Sequence, residues 1–212
     1  MPKKPDYYSK KAKREGLKSR AAYKLEQIQR KYRLIQKGDI VIDLCGCPGG
    51  WAQIAKRETG KTGLVVLVDL KKVQIKNVLS IVADITKEEI YTEILNSLNE
   101  IKQNVRCVDG VLADCSPNVS GSWTTDHFRQ IWLAENALEI SKKLSAKYFI
   151  CKVFQGEGLD DFITEVRKVF TRVRRYKPDA SRKASAEIYL IAFSPKNNLN
   201  QNTIQTKGYI EQ

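Results

Sequence analysis

One segment constrains this chain more than any other: Val41-Ile-Asp-Leu-Cys-Gly-Cys-Pro-Gly-Gly-Trp51. The apolar run over 40–44 has the length of a buried strand. It breaks into a Gly/Pro-rich turn, and Trp51-Ala-Gln-Ile-Ala-Lys56 resumes as a helix. Strand, glycine turn and helix start, in that order, build a ligand seat at the carboxyl edge of a parallel sheet. Glycine lets the backbone approach a ligand closely, and the helix start offers unpaired N–H groups. The turn is neither GxGxxG nor GxxxxGK[ST], and no Lys-Ser/Thr pair follows it. The seat therefore suits a nucleoside-like ligand without a polyphosphate, and S-adenosylmethionine is the leading candidate.

The rest of the chain alternates strand and helix patterns. Strands are predicted over 40–44, 64–69, 78–83, 107–114, 147–153, 172–177 and 186–193. Helices are predicted over 50–58, 86–102, 125–145 and 158–170. Such alternation specifies an α/β chain with a mostly parallel sheet covered on both faces. Only residues 177–185 separate the last two strands, too few for a crossover helix, so one strand runs antiparallel. Before the first strand, a basic helical arm over 5–16 precedes a helix over 20–32 that Ser19 is expected to cap. We expect one domain over 1–195, with the arm over about 1–34, and a polar, flexible tail over 196–212.

Length, 42% hydrophobic and 29% charged content describe a soluble globular chain, and no apolar run approaches bilayer length. Net charge is +13, and its distribution matters more than its size. Residues 1–33 hold twelve Lys/Arg against three Asp/Glu, and 166–188 hold eight against two, which leaves the remainder slightly negative. Two basic blocks flanking a near-neutral body read as a polyanion footprint, with binding that weakens steeply as salt rises. Five cysteines, at 45, 47, 107, 115 and 151, form no CxxC or metal spacing, so they read as reduced core residues and no metal site is expected. The single histidine, His127, reads as a surface residue without a role.

Ligands of a parallel sheet bind outside the strand carboxyl ends, and four such ends carry an acid: Asp43, Asp69, Asp84 and Asp114. Asp69 stands where a ribose-binding carboxylate belongs, and Asp84 where a side chain can accept from an adenine amino group. Each is also the residue type that caps a following helix. Lys152 ends an otherwise apolar strand, a costly position for an ammonium unless it is used. A lysine so placed can be tuned toward general base.

Five segments together resemble the FtsJ/RrmJ family of RNA ribose 2′-O-methyltransferases. They are Ser19-Arg-Ala-Ala-Tyr-Lys-Leu25, the Asp43–Trp51 turn, Asp114-Cys-Ser-Pro-Asn-Val-Ser-Gly121, Lys152-Val-Phe-Gln-Gly-Glu-Gly158 and Ser181-Arg-Lys-Ala-Ser-Ala-Glu-Ile-Tyr189. The resemblance implies a Rossmann-like methyltransferase fold with seven strands, one of them antiparallel. It implies a catalytic tetrad at Lys24, Asp114, Lys152 and Glu187, and contacts to S-adenosylmethionine from Gly49, Trp51, Asp69, Asp84 and Asp114. It also implies methylation of a uridine 2′-hydroxyl in large-subunit ribosomal RNA by a cytoplasmic monomer. A tRNA anticodon-loop enzyme, an mRNA cap enzyme and a non-catalytic ribosome assembly factor stand behind that reading. The missing diphosphate fingerprint argues against a nucleotide-dependent oxidoreductase. The turn departs from the family in its two cysteines, the 71–77 loop lacks the usual prolines, and Ser145-Ala-Lys147 replaces a Gly-Gly.

Overall fold

A computed structural model describes residues 7–117 and 120–196. Seven strands make one sheet: β1 (Ile40–Leu44), β2 (Leu64–Asp69), β3 (Leu79–Val82), β4 (Gly110–Ala113), β5 (Tyr148–Phe154), β6 (Phe170–Tyr176) and β7 (Glu187–Pro195). Their order is β3-β2-β1-β4-β5-β7-β6. The first five are mutually parallel, and β7 runs antiparallel to both β5 and β6. The mostly parallel sheet with one antiparallel strand is therefore as expected, and the short 177–186 connection is its cause.

The described residues form six helices: α1 (Tyr7–Arg14), α2 (Ala22–Tyr32), α3 (Gly50–Thr59), α4 (Ile90–Ile101), α5 (Trp123–Lys143) and α6 (Leu159–Val169). α2 and α3 pack with Val41, Val65, Leu67 and Ile150 on one face; α4, α5 and α6 pack with Ile42, Val66, Val111 and Phe149 on the other. Burial on both faces explains why β1 is apolar at nearly every position. Strand order reverses between β1 and β4, and this switch point opens the ligand crevice of such sheets. The carboxyl ends of β1 to β5 meet at one edge, and antiparallel β7 begins there, with Glu187 opposite Phe154 and Tyr189 opposite Lys152.

Several expectations need correction. Ser19 does not cap α2, whose first turn has Ala21 at the cap and no side-chain bond; its hydroxyl packs against Gly50 instead. α4 starts four residues later than predicted, because Asp84 turns the chain over Thr86 and Lys87 first. His127 is not a surface residue: it lies in α5 and is 3% exposed. Asp43 sits inside β1, fully buried, rather than at its end. Cys45 and Cys115 are not reduced: they form a disulfide with a Cα–Cα distance of 5.1 Å. Spacing along the chain hides this pair, since only parallel pairing of β1 with β4 brings the two strand ends to one height. The expected tail over 197–212 and the loop residues Asn118 and Val119 lie outside the described residues.

Candidate active site at the carboxyl edge of the sheet

Four sequence-distant residues meet at this edge as two ion pairs. Lys24, on the inner face of α2, places its Nζ 2.6 Å from Glu187 Oε1, and both side chains are largely buried. Lys152, 4% exposed in β5, places its Nζ 3.2 Å from Asp114 Oδ1. The same ammonium donates to the Asp114 carbonyl at 2.9 Å and to Ser116 Oγ. Two hydrogen bonds and one ion pair thus engage it. A buried ammonium needs such partners, because an unpaired charge is far more costly than a paired one.

Tyr189 ties the two pairs together. Its hydroxyl donates to Asp114 Oδ1 at 2.8 Å, and the Lys24 ammonium lies 5.7 Å from its ring centroid. Burial, reinforced by the Asp114 and Glu187 charges, pushes the Tyr189 phenol far above its ordinary pKa, so it stays a proton donor to Asp114. For Glu187, burial works to raise the pKa. The Lys24 charge and hydrogen bond outweigh it and hold the carboxyl below its usual value. Glu187 is therefore an anion at neutral pH.

Behind Lys152, Gln130 of α5 stands in for missing sheet. β4 ends at Ala113, which leaves the last peptide groups of β5 without a strand on that side. The buried Gln130 amide donates to the Lys152 carbonyl at 2.6 Å and accepts from the Phe154 N–H at 3.1 Å. The strand end that carries the lysine is thereby held as firmly as its interior.

The glycine turn forms the second half of the site. Gly49 precedes α3 at φ +111°, a conformation that demands glycine, and a Cβ there would also press on the end of the Ile75 side chain. Asp69 accepts from the Cys47 N–H (3.0 Å) and the Lys71 N–H (3.0 Å), which fixes its carboxylate between the two loops. Asp84 accepts at Oδ1 from the Thr86 N–H and hydroxyl; these bonds lower its pKa. Trp51 is 2% exposed, packs against Tyr189 at 5.6 Å, and donates its indole N–H to the Ala21 carbonyl. Its ring is thus a wedge between α3 and α2, and only its backbone can face a ligand. The Ala52 N–H faces the Asp43 carboxylate, which has no other hydrogen-bond partner among the described residues. Burial first, then the Asp114 charge, pushes its pKa well above the carboxylate range.

The two basic blocks come together in space. Ala12 of α1, Tyr23 of α2 and Ala180 of the 177–186 connection share one small cluster; the Ala180 N–H donates to Gln27 Oε1, and Lys31 lies over the Tyr176 ring. Arg20, Lys24, Arg182, Ser185 and Glu187 line a cavity of about 430 Å³ between them. A larger cavity, about 910 Å³, lies away from these residues, against α3 and the amino end of β2.

A family model described as FtsJ-like methyltransferase matches residues 17–194. The chain belongs to the FtsJ-like methyltransferase family. Its relatives include a protein of Methanosarcina mazei, 46% identical over 189 residues, covering 88% of this chain and 68% of the relative. Another, from Methanocaldococcus jannaschii, is 42% identical over 198 residues, covering 91% and 79%. Both are named ribosomal RNA large subunit methyltransferase E. A crystal structure described as that of a ribosomal RNA methyltransferase from Plasmodium falciparum superposes with a TM-score of 0.73 at 26% identity, covering 84% of this chain and 98% of that one.

An FtsJ-like methyltransferase needs a methyl donor, and the switch-point crevice, with its glycine cradle and ordered carboxylates, fits one. Sequence reasoning missed Tyr189, Ser116 and Gln130 in this FtsJ-like site. Tyr189 carried a signal, because residues 187 and 189 of a strand share a face. Gln130 carried none. Among the described residues, no helix is long and apolar enough to cross a membrane.

Proposed function

We propose that this protein transfers the methyl group of S-adenosylmethionine to a ribose 2′-hydroxyl of large-subunit ribosomal RNA. The observation that carries the reading is the convergence of Lys24, Asp114, Lys152 and Glu187 into two linked ion pairs beside the glycine cradle. The names of the relatives point to the same RNA. A uridine target, a cytoplasmic location and a monomeric state belong to the same proposal.

The donor would lie on the cradle, with Gly49 and the Trp51 backbone under it and Asp69, Asp84 and Asp114 around it. When bound, it supplies an electrophilic methyl group on a sulfonium sulfur. The residues of the chain then do three things. The basic face around Arg20 and Arg182 holds phosphates. Lys24 and Glu187 flank the ribose and fix its orientation, which carries much of the rate in an in-line transfer. Lys152 would accept or steer the hydroxyl proton, with Asp114 and Glu187 orienting it. Asp114 and Ser116 hold the Lys152 Nζ in place for that role.

The test is incubation with methyl-labelled S-adenosylmethionine and separate pools of ribosomal subunits, free ribosomal RNA and tRNA, followed by digestion to nucleosides. Label in a 2′-O-methylated nucleoside from large-subunit RNA is the expected result. Label in tRNA would move the substrate to the anticodon-loop class. No label in any pool, with donor binding intact, would replace the enzyme with an assembly factor.

A further inference from the structure

Beside the tetrad stands a group of aromatic rings to which the residues so far give no task. Phe154 ends β5 two residues beyond Lys152 and pairs across the strands with Glu187. Alternate strand residues lie about 6.6–6.8 Å apart on one face. The Trp123 ring stacks on Phe154, with centroids 5.9 Å apart and planes within 18°. His127, one helical turn beyond Trp123, lies near-parallel to both, at 5.9 Å from Trp123 and 6.5 Å from Phe154. Three near-parallel rings therefore form one compact cluster, at the open end of the strand that carries the lysine.

One ring of the cluster is buried and another is exposed. His127 is buried, and its Nε2–H donates to the Glu157 carbonyl, beneath the loop that leaves β5. Gly156 closes that loop at φ +152°, and a Cβ there would lie 2.8 Å from the imidazole, so the loop is shaped to the ring. Trp123 opens α5, and its backbone is fixed on both sides. Ser122 caps the helix by accepting from Thr125, and the Asp126 carboxylate accepts from the Ser120 N–H at 2.8 Å. Yet the Trp123 side chain is 58% exposed. A tryptophan that completes a core is buried; this one shows a face to solvent on a rigid mount. The segment that carries it is the one that leaves Asp114 and Ser116.

We infer that Trp123, backed by Phe154 and His127, is a stacking platform for an unpaired nucleobase adjoining the ribose that is methylated. Every base has a π face, and RNA enzymes and RNA readers hold splayed bases on aromatic rings. The occupant follows from place: Phe154 of the cluster pairs across the strands with Glu187, and Glu187 lines one cavity with Arg20, Lys24 and Arg182. A nucleotide with its sugar between the two ion pairs has phosphate partners on one side and a ring on the other. This inference rests on the RNA reading above, which supplies the ribose.

The test compares Trp123→Ala, Trp123→Phe and Trp132→Ala, the last removing an equally exposed ring farther along α5. Affinity for a large-subunit RNA fragment and steady-state methylation are both measured. Trp123→Ala is expected to raise both Kd and KM for RNA about ten-fold or more, the loss typical of one stacked base. Its turnover number, donor affinity and melting temperature should stay near wild type. Trp123→Phe should recover most of the loss, and Trp132→Ala should show none. The logarithmic salt slope of Trp123→Ala should match wild type, because no phosphate contact is removed. Unchanged RNA affinity in Trp123→Ala, an equal loss in Trp132→Ala, or no recovery in Trp123→Phe would each overturn the platform. Wild-type protein that binds RNA but methylates none would sink the enzyme reading instead, and the binding comparison would still judge Trp123.

Discussion

The two halves of the crevice are made in different ways. The half proposed to seat the donor is local: Gly49, Asp69 and Asp84 fall within forty residues, and each carboxylate is held by backbone or hydroxyl groups of its own or the neighbouring loop. The acceptor half is assembled from α2, β4, β5 and β7, and its lysines and acids hold one another. A local half can be set by turn chemistry alone. The other exists only once antiparallel β7 has brought Glu187 and Tyr189 beside Lys152 and Asp114. Single substitutions should therefore separate the halves.

The largest separation should come from Lys152→Ala. Loss of a positioned proton acceptor costs about 10²–10⁴-fold in rate. Single-turnover methylation should fall by that factor while donor affinity, measured by equilibrium dialysis, holds within about two-fold of wild type. A loss smaller than ten-fold would remove Lys152 from the base role. Comparable loss of donor binding would mean that the halves are one unit.

Gly49→Ala attacks the other half. Forcing a side chain onto a positive φ costs more than about 1 kcal/mol, and the new methyl also meets Ile75. The cradle should shift to relieve both. Donor affinity should drop about ten-fold, equivalent to roughly 1.4 kcal/mol, with RNA affinity unchanged in the same protein. Full donor affinity in Gly49→Ala would show that the ligand does not touch this turn.

The same contrast explains what the sequence made legible. The glycine turn, strand–helix alternation and antiparallel final strand are written in short stretches, where period and loop length decide the outcome. Asp114 and Lys152 stood out at strand ends, whereas Lys24 and Glu187 were reachable only through family resemblance, because no local pattern joins them. Tertiary pairing also decided the errors. Cys45 and Cys115 meet because parallel β1 and β4 end together. His127 is buried because the 155–158 loop folds over it. Gln130 completes a strand edge that exists only because β4 stops short. The Trp51 ring serves the contact between α3 and α2, a second role that no local pattern showed.

The smallest effect belongs to the floor between the halves. Asp43 is fully buried, with Asp114 of one half and Asp69 of the other raising its pKa beyond what burial does. Its folded pKa thus lies above the unfolded value of about 3.9. The sign follows by linkage: protonation favours the fold fully below about pH 3.9, and that contribution is lost as pH rises through the folded value. At neutral pH the wild-type protein carries this cost and Asp43→Asn does not. The variant should melt a few degrees higher at pH 7, at about 2–4 °C per kcal/mol for a chain of this size. The gap should shrink as pH falls toward 4. A gap of the same size at every pH would assign it to packing rather than charge. A variant less stable than wild type at pH 7 would mean that the carboxylate is held by a partner stronger than the cost of its burial.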